Sequence, residues 1–182
     1  MKGNHMKRLS ALLILSLIFT SCSLFKNETY APLEVVPYVD INKYLGKWYE
    51  IASLPVSQQE GCNCTTAEYS LIDSSTILVR NSCRKDSITG EIDDVEGKAF
   101  VVPGSNNAKL RVQFFWPFRG DYWILHLDKD YKYALVGVPS RKYFWILSRT
   151  PNMDEKLRNE LLDIAKSKGY DILKAQITKH CN

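Results

Sequence analysis

From Trp48 onward the chain reads as short runs in which apolar and polar positions alternate. Thr65 to Leu71 shows this most cleanly: Thr65, Ala67, Tyr69 and Leu71 fall on one face, and Thr66, Glu68 and Ser70 on the other. A period of two is that of a half-buried strand. Asp73-Ser74-Ser75 marks a tight turn, and Thr76 to Cys83 returns with Ile77, Val79 and Asn81 on one face. Trp48 to Ala52 precedes this pair; Glu91 to Val102, Lys109 to Trp116, Tyr122 to Leu127, Tyr133 to Val138 and Tyr143 to Ser148 follow it. Links are short and punctuated by Pro103-Gly104, Pro117, Asp128 to Asp130 and Pro139-Ser140. Consecutive strands with short links predict an antiparallel meander, and closing it into a barrel removes its exposed edges.

The period then changes. Met153, Leu157, Leu161 and Ile164 recur at helical spacing, with Lys156, Arg158, Asn159, Glu160, Asp163 and Lys166 on the opposite face. Asn152 followed three residues later by Glu155 has capping-box spacing, and Gly169 marks the end. Residues 170–178 predict a further short strand. The predicted fold class is all-β: an eight-stranded antiparallel up-and-down β-barrel with one C-terminal α-helix packed outside.

The N-terminus has neither period. Lys2 to Arg8 is basic, Leu9 to Thr20 is an apolar run too short for a comfortable membrane span, and Thr20-Ser21-Cys22 follows. This resembles a bacterial lipobox, with Phe19 where that pattern prefers Leu; it implies cleavage before Cys22 and lipidation of its thiol. Ser23 after the cysteine implies, by analogy with enterobacteria, the outer membrane. Residues 23 to about 38 carry two prolines and no clear periodicity, so they read as a tether. The expected divisions are a signal peptide over 1–21, a lipidated tether over 22–37 and the barrel domain over 38–182.

Charge changes little in this picture. The formal net charge is +4, but Lys2, Lys7 and Arg8 belong to the leader and the remainder carries +1, a poor basis for nucleic-acid binding. With three histidines in all, one of them His5 in the leader, multi-histidine metal chemistry is hard to build, and no metal or cofactor is expected. Setting Cys22 aside leaves Cys62, Cys64, Cys83 and Cys181, an even number that in an exported chain implies disulfides. Cys62 with Cys64 would close a strained small ring, so two pairings stay open.

Gly46-Lys47-Trp48-Tyr49 with Glu50-Ile51-Ala52, then Ala67-Glu68-Tyr69-Ser70-Leu71, then Asp130-Tyr131 with Tyr133-Ala134-Leu135-Val136, then Trp145 to Pro151 before the helix, resemble the lipocalin family in content and order. The resemblance covers roughly residues 38–181 and points to the bacterial outer-membrane lipoprotein branch, close to apolipoprotein D. It implies that Gly46, Trp48 and Arg149 form a structural barrel floor, the guanidinium stacked on the indole. It pairs Cys64 with Cys181 and Cys62 with Cys83. Strict alternation sets Cys62 on the outward face and Cys83 on the inward one, so that pairing needs a bulge or strand end near Cys83. The resemblance also lines a pocket with Tyr69, Asn81 and Trp145.

An eight-stranded barrel is filled by side chains or holds one small ligand. Ala52, Thr65, Ala67, Asn81, Gly97 and Ala99 are small or polar candidates for inward positions, and Tyr69, Phe114 and Trp145 give an apolar wall. A few polar groups on apolar walls describe an amphiphile pocket. Glu50 is a further candidate: pointing inward, it needs a partner or water to stay charged. The mouth loops are Leu54 to Gly61, one with Arg84 and Lys85, Trp116-Pro117-Phe118-Arg119, and one with Arg141 and Lys142. That aromatic, basic rim suits an apolar tail with an anionic head. The expected function is that of a lipid-anchored periplasmic lipocalin. It would carry small amphiphiles, such as fatty acids or lysophospholipids, in membrane maintenance or stress, and would not be an enzyme. The membrane, through Cys22, is its other partner. The rival is an isomerase-like enzyme acting in the cavity, with a thiol as possible nucleophile. Alternation places Cys64 outward, against that rival, and His126 and His180 show no triad partners. A haem or tetrapyrrole pocket would need an axial ligand, and His126, of uncertain direction, is the sole barrel candidate.

Overall fold

Alternating strands bury one face only if the sheet curls over it, and here the curl is complete. In the computed structural model, which describes residues 30–181, the order is α1 (Ile41–Tyr44), β1 (Gly46–Ser53), β2 (Cys62–Leu71), β3 (Thr76–Lys85), β4 (Ile92–Val101), β5 (Lys109–Gln113), β6 (Gly120–Leu127), β7 (Tyr133–Gly137), β8 (Phe144–Ser148), α2 (Glu155–Ser167) and β9 (Gln176–Ile177). Each strand from β2 to β7 pairs antiparallel with the next, β8 pairs with β1, and β1 pairs with β2, closing an eight-stranded barrel. β9 adds to the free edge of β1 through Ala52↔Ile177 and Ser53↔Gln176. The signal sequence and Cys22 lie outside the described residues. Among those described, no helix is long and apolar enough to cross a membrane.

Two apolar clusters sit on the two faces of the sheet. Trp48, Tyr69, Ile77, Val79, Ala99, Leu110, Ile124, Val136 and Leu147 fill the interior. Ile51, Ala52, Leu125, Leu135, Phe144 and Ile146 face outward and are covered by Leu161 and Ala165 of α2 and by Tyr170. Asp154, rather than Asn152, caps α2, accepting from the N–H groups of Lys156 and Leu157 at 2.9 and 3.2 Å. The helix starts two residues later than the capping-box spacing predicts, because the Asn152 carbonyl is held by the Thr150 hydroxyl. Gly169, at φ +91°, ends it, with the Tyr170 N–H donating to the Ala165 carbonyl at 3.1 Å.

Three bulges decide which side chains enter the barrel. Between Glu50 and Ala52 the register of β1 against β8 shifts. Ala52, expected inside, therefore turns outward beneath the helix cluster, and Ser53, opposite Trp145, takes the inward position. A shift between Ile124 and His126 sends His126 outward, paired with Leu135, where its ring stacks on Tyr133 at 6.1 Å. In β2 a shift between Asn63 and Thr66 places Cys64 and Thr65 against Cys83 alone, with Cys64 at φ +54°. That bulge brings Cys62 to the same face as Cys83, and the two are bonded with Cα atoms 5.4 Å apart. The expected irregularity lies on the strand facing Cys83, not on its own. Cys64 is bonded to Cys181.

Two further boundaries differ from expectation. Leu33, Val35 and Val36, read as tether, pack on the barrel, and the Val36 N–H donates to the Ile124 carbonyl at 3.0 Å. β5 ends at Gln113, so Trp116 is not in a strand; Phe115, Trp116 and Phe118 form an exposed loop.

Candidate functional site

The closed end of the barrel sets the depth of the interior. Asp40 caps α1 through the Asn42 N–H at 3.0 Å. The helix lays Tyr44 under the barrel, and the Trp48 indole N–H donates to the Tyr44 carbonyl at 2.8 Å. The Arg149 guanidinium lies 3.8 Å from the centre of the Trp48 ring. It donates to the carbonyls of Lys43, Lys47 and Tyr131 at 2.7, 2.9 and 3.2 Å. Gly46 sits beside it at φ +86°. Three separate segments are thus clamped by one planar cation, a geometry its fork of donors favours.

Above the floor, the Tyr122 hydroxyl lies 2.8 Å from that of Tyr44 and 2.9 Å from that of Tyr69. Burial raises all three phenols: Tyr44 and Tyr122 well above their ordinary value, Tyr69 to about 12. They stay neutral and form a small polar cluster on otherwise apolar walls. Phe114 faces inward and packs where a Gly97 side chain would be, its ring 2.7 Å from a Cβ placed there. Asn81, half-buried, is on the same inward face, paired with Ala67 and Val95.

Toward the open end the structure brings two predicted residues together through an unpredicted one. Gln59, in the loop after β1, accepts from the Trp145 indole N–H at 3.2 Å and donates to Glu50 Oε2 at 2.7 Å. Glu50 Oε1 accepts from the hydroxyls of Ser53 at 3.1 Å and Thr178 at 2.6 Å. Glu50 therefore does point inward, and it is 6% exposed. It stands where β1 and β2 part: they pair only from Gly46 to Tyr49, and beyond that the C-terminal tail crosses the seam. There the Thr178 N–H donates to the Ile51 carbonyl at 3.0 Å and the Cys64 N–H to the Lys179 carbonyl at 2.6 Å. A cleft of ≈ 590 Å³ opens at this seam, lined by Glu50, Ser53, Gln59, Asn63, Thr65 and Thr178 among others.

Sequence reasoning missed Gln59, Ser53, Thr178, Tyr44 and the role of Tyr122. Gln59 and Thr178 lie outside regular alternation, and Ser53 was hidden by the bulge. The expected basic rim is also corrected. Arg84, at the end of β3, donates to the Gly90 carbonyl of the following turn at 2.9 Å. Lys85 pairs with Asp93 at 3.3 Å and donates to the Glu60 carbonyl at 3.2 Å. Arg119 lies 4.1 Å from the Phe100 ring centre, and Arg141 caps α2 through the Lys168 carbonyl at 2.8 Å. These cations are thus each held by a partner, and one of them, Lys85, by a carboxylate. The thiol on which a nucleophilic mechanism could rest, Cys64, is spent in a disulfide. Among the described residues no group of three or more His, Cys, Asp or Glu could hold a metal.

A capped floor, a closed eight-stranded wall and an outer helix are an architecture shared with known proteins. A family model described as a lipocalin-like domain matches residues 39–180. The chain is a lipocalin. Temperature-induced lipocalin-1 of Arabidopsis thaliana is 42% identical over 155 residues, covering 80% of this chain and 82% of that protein. Outer membrane lipoprotein Blc of Vibrio cholerae is 39% identical over 154 residues, covering 82% and 90%. Apolipoprotein D of Bos taurus is 37% identical over 152 residues, covering 79% and 78%. Among solved structures, insecticyanin from Manduca sexta superposes with a TM-score of 0.67 at 22% identity, covering 84% of this chain and 87% of that one. The lipocalin thus stands with Blc and apolipoprotein D, and the solved neighbour shares its barrel.

Proposed function

We propose that this lipocalin carries one small amphiphile at a time, a fatty acid or lysophospholipid, from a lipid anchor at Cys22 on the periplasmic face of an outer membrane, in membrane maintenance or stress. One observation carries the reading. The interior combines an apolar wall of Phe114, Trp145 and Val79 with a few placed polar groups: the Tyr69–Tyr122 pair, Asn81 and Glu50. Water-exclusive packing would not need such groups, whereas an amphiphile uses both kinds. With the floor sealed by Trp48 and Arg149, the loop end is the route by which a ligand would enter. There Trp116 is 85% exposed and Phe118 77%, an apolar threshold for a lipid tail. The outer-membrane placement follows the name of the Blc relative, and a stress role accords with the temperature-induced plant relative.

Titration with palmitate and with a lysophospholipid, followed by Trp fluorescence, tests this. Saturable one-site binding is expected, weakened several-fold in Trp145→Ala and Asn81→Ala. A protein that binds neither probe overturns the carrier reading. Metabolic palmitate labelling, lost in Cys22→Ser, tests the anchor.

A further inference from the structure

Glu50 is buried, and the hydrogen bonds to its carboxylate come from neutral side chains. Its two oxygens accept three hydrogen bonds, from Ser53, Thr178 and Gln59. Among the described residues no salt bridge reaches its carboxylate, and the one basic ring bonded to the residue, His180, meets its backbone carbonyl, with Nε2 2.7 Å away. A carboxylate offers about four lone-pair positions, so one remains on Oε2. A buried charge without a counter-charge is costly.

A second, independent orphan belongs to a residue of the same cleft. Thr65 is 7% exposed, lines the seam cleft, and its buried Oγ1 has no hydrogen-bond partner. Native proteins leave few such groups unpaired. The cleft between the two, ≈ 590 Å³ in volume, is far larger than the ~30 Å³ share of one water. Its charged lining residues are Glu50, Glu60 and Lys179, a net negative set.

We propose that this cleft is a subsite for a primary ammonium group, and that Glu50 and Thr65 make the lipocalin prefer ammonium-bearing amphiphiles to anionic ones. The inference rests on the carrier reading above. A primary ammonium has three N–H donors and no acceptor. Its donors are of the kind that Oε2 and the Thr65 oxygen lack, and its charge is opposite to that of the cleft lining. A quaternary ammonium supplies the charge without donors, and the glycerol and N-acetylated heads supply neutral donors without the charge. The rim cations that an anionic head would seek, Arg84, Lys85 and Arg119, are held by a carbonyl, a carboxylate and an aromatic ring. Gln59 links Glu50 to Trp145, so the ring that faces the acyl chain also reports on the head group.

The test compares matched palmitoyl ligands by Trp fluorescence and competition: lysophosphatidylethanolamine, its N-acetylated form, lysophosphatidylcholine and lysophosphatidylglycerol. The ethanolamine form is expected to bind about tenfold more tightly than the N-acetylated and glycerol forms, as one charge-assisted contact gives, with choline between. Hexadecylamine against palmitate separates the sources. The same advantage there means that the ammonium suffices; an advantage confined to the phospholipids means that the phosphate head is also required. Glu50→Gln is expected to bring the ethanolamine to N-acetyl ratio close to one. Thr65→Val, which loses no hydrogen bond and keeps side-chain shape, is expected to lower it and serves if Glu50→Gln does not fold. Equal binding of the two forms by the unaltered protein, or a ratio unchanged in both variants, overturns the proposal. Failure of every amphiphile to bind overturns the carrier reading instead.

Discussion

Replacing Cys64 and Cys181 by serine would cut the covalent tie between the C-terminal tail and β2. That bridge spans 117 residues of sequence. The Cys62–Cys83 bridge, spanning 21, offers a shortcut, so the ring closed by the tail holds about 100 residues, which chain entropy values at about 4.7 kcal/mol. The same relation gives the Cys62–Cys83 ring about 3.3 kcal/mol. The native contacts of the tail survive the change: Thr178 and Cys64 keep their backbone bonds, and Ile177 stays opposite Ala52. The loss therefore falls on the freed unfolded chain, with about 3–5 kcal/mol the measurable range. Urea unfolding followed by circular dichroism should show a two-state transition moved down by roughly 2 M, given m of about 2 kcal/mol/M. The Cys62→Ser/Cys83→Ser protein should move less. A midpoint within about 0.3 M of the parent, or the reverse order of the two variants, would refute the loop-entropy reasoning.

Other changes test the floor, the tyrosines and the wall. Arg149→Met removes three carbonyl bonds and the stack on Trp48. Discounted for a half-exposed cation, it should cost about 2–4 kcal/mol by denaturant unfolding, and Arg149→Lys should recover less than half. The buried phenols hold their protons in the fold, with Tyr69 raised from 10 to about 12. Their contribution is thus whole below pH 10 and is lost as pH rises toward 12. Thermal melts should fall across that window, and tyrosinate absorbance of all three at pH 10 in folded protein would contradict this. His126 is held below its ordinary pKa, chiefly by burial, so its contribution is present above pH 6.5 and declines on acidification below it. His126→Gln should flatten that part of the stability curve. Gly97→Ala puts a methyl 2.6 Å from the Gln113 backbone carbonyl and 2.7 Å from the Phe114 ring; it should shift both β5 and the ring, weakening palmitate binding several-fold by fluorescence titration with a stability loss of about 1–3 kcal/mol.

How much of this was legible follows from what each signal encodes. Alternation such as that of Thr65–Leu71 records burial on one face, and it gives the strands and their order. It does not record a bulge, which is set by how the sheet must twist to close. So Ala52 was placed inside and Ser53 missed, the direction of His126 was open, and Cys62 seemed to face away from Cys83. Four residues of α1 are too few to show a helical period, so Tyr44 and the floor beneath Trp48 were hidden. Motif resemblance supplied Gly46, Trp48 and Arg149, because those residues occur together in a fixed order. The Glu50 surroundings were illegible for another reason: Gln59 and Thr178 come from a loop and a tail whose positions depend on contacts far apart in sequence. The rim misled because a cation's place in a loop says nothing of its partner; Arg141 turns to the end of α2 and Arg119 to Phe100.

Whether the partly polar barrel interior holds one amphiphile is decided by native mass spectrometry of the protein purified without detergent, followed by denaturing extraction of whatever is released. A bound single-chain amphiphile near one per protein is expected, displaced by added lysophospholipid and poorly retained by Trp145→Ala. A protein that is recovered empty and stays empty after incubation with palmitate and lysophospholipids would contradict the carrier reading.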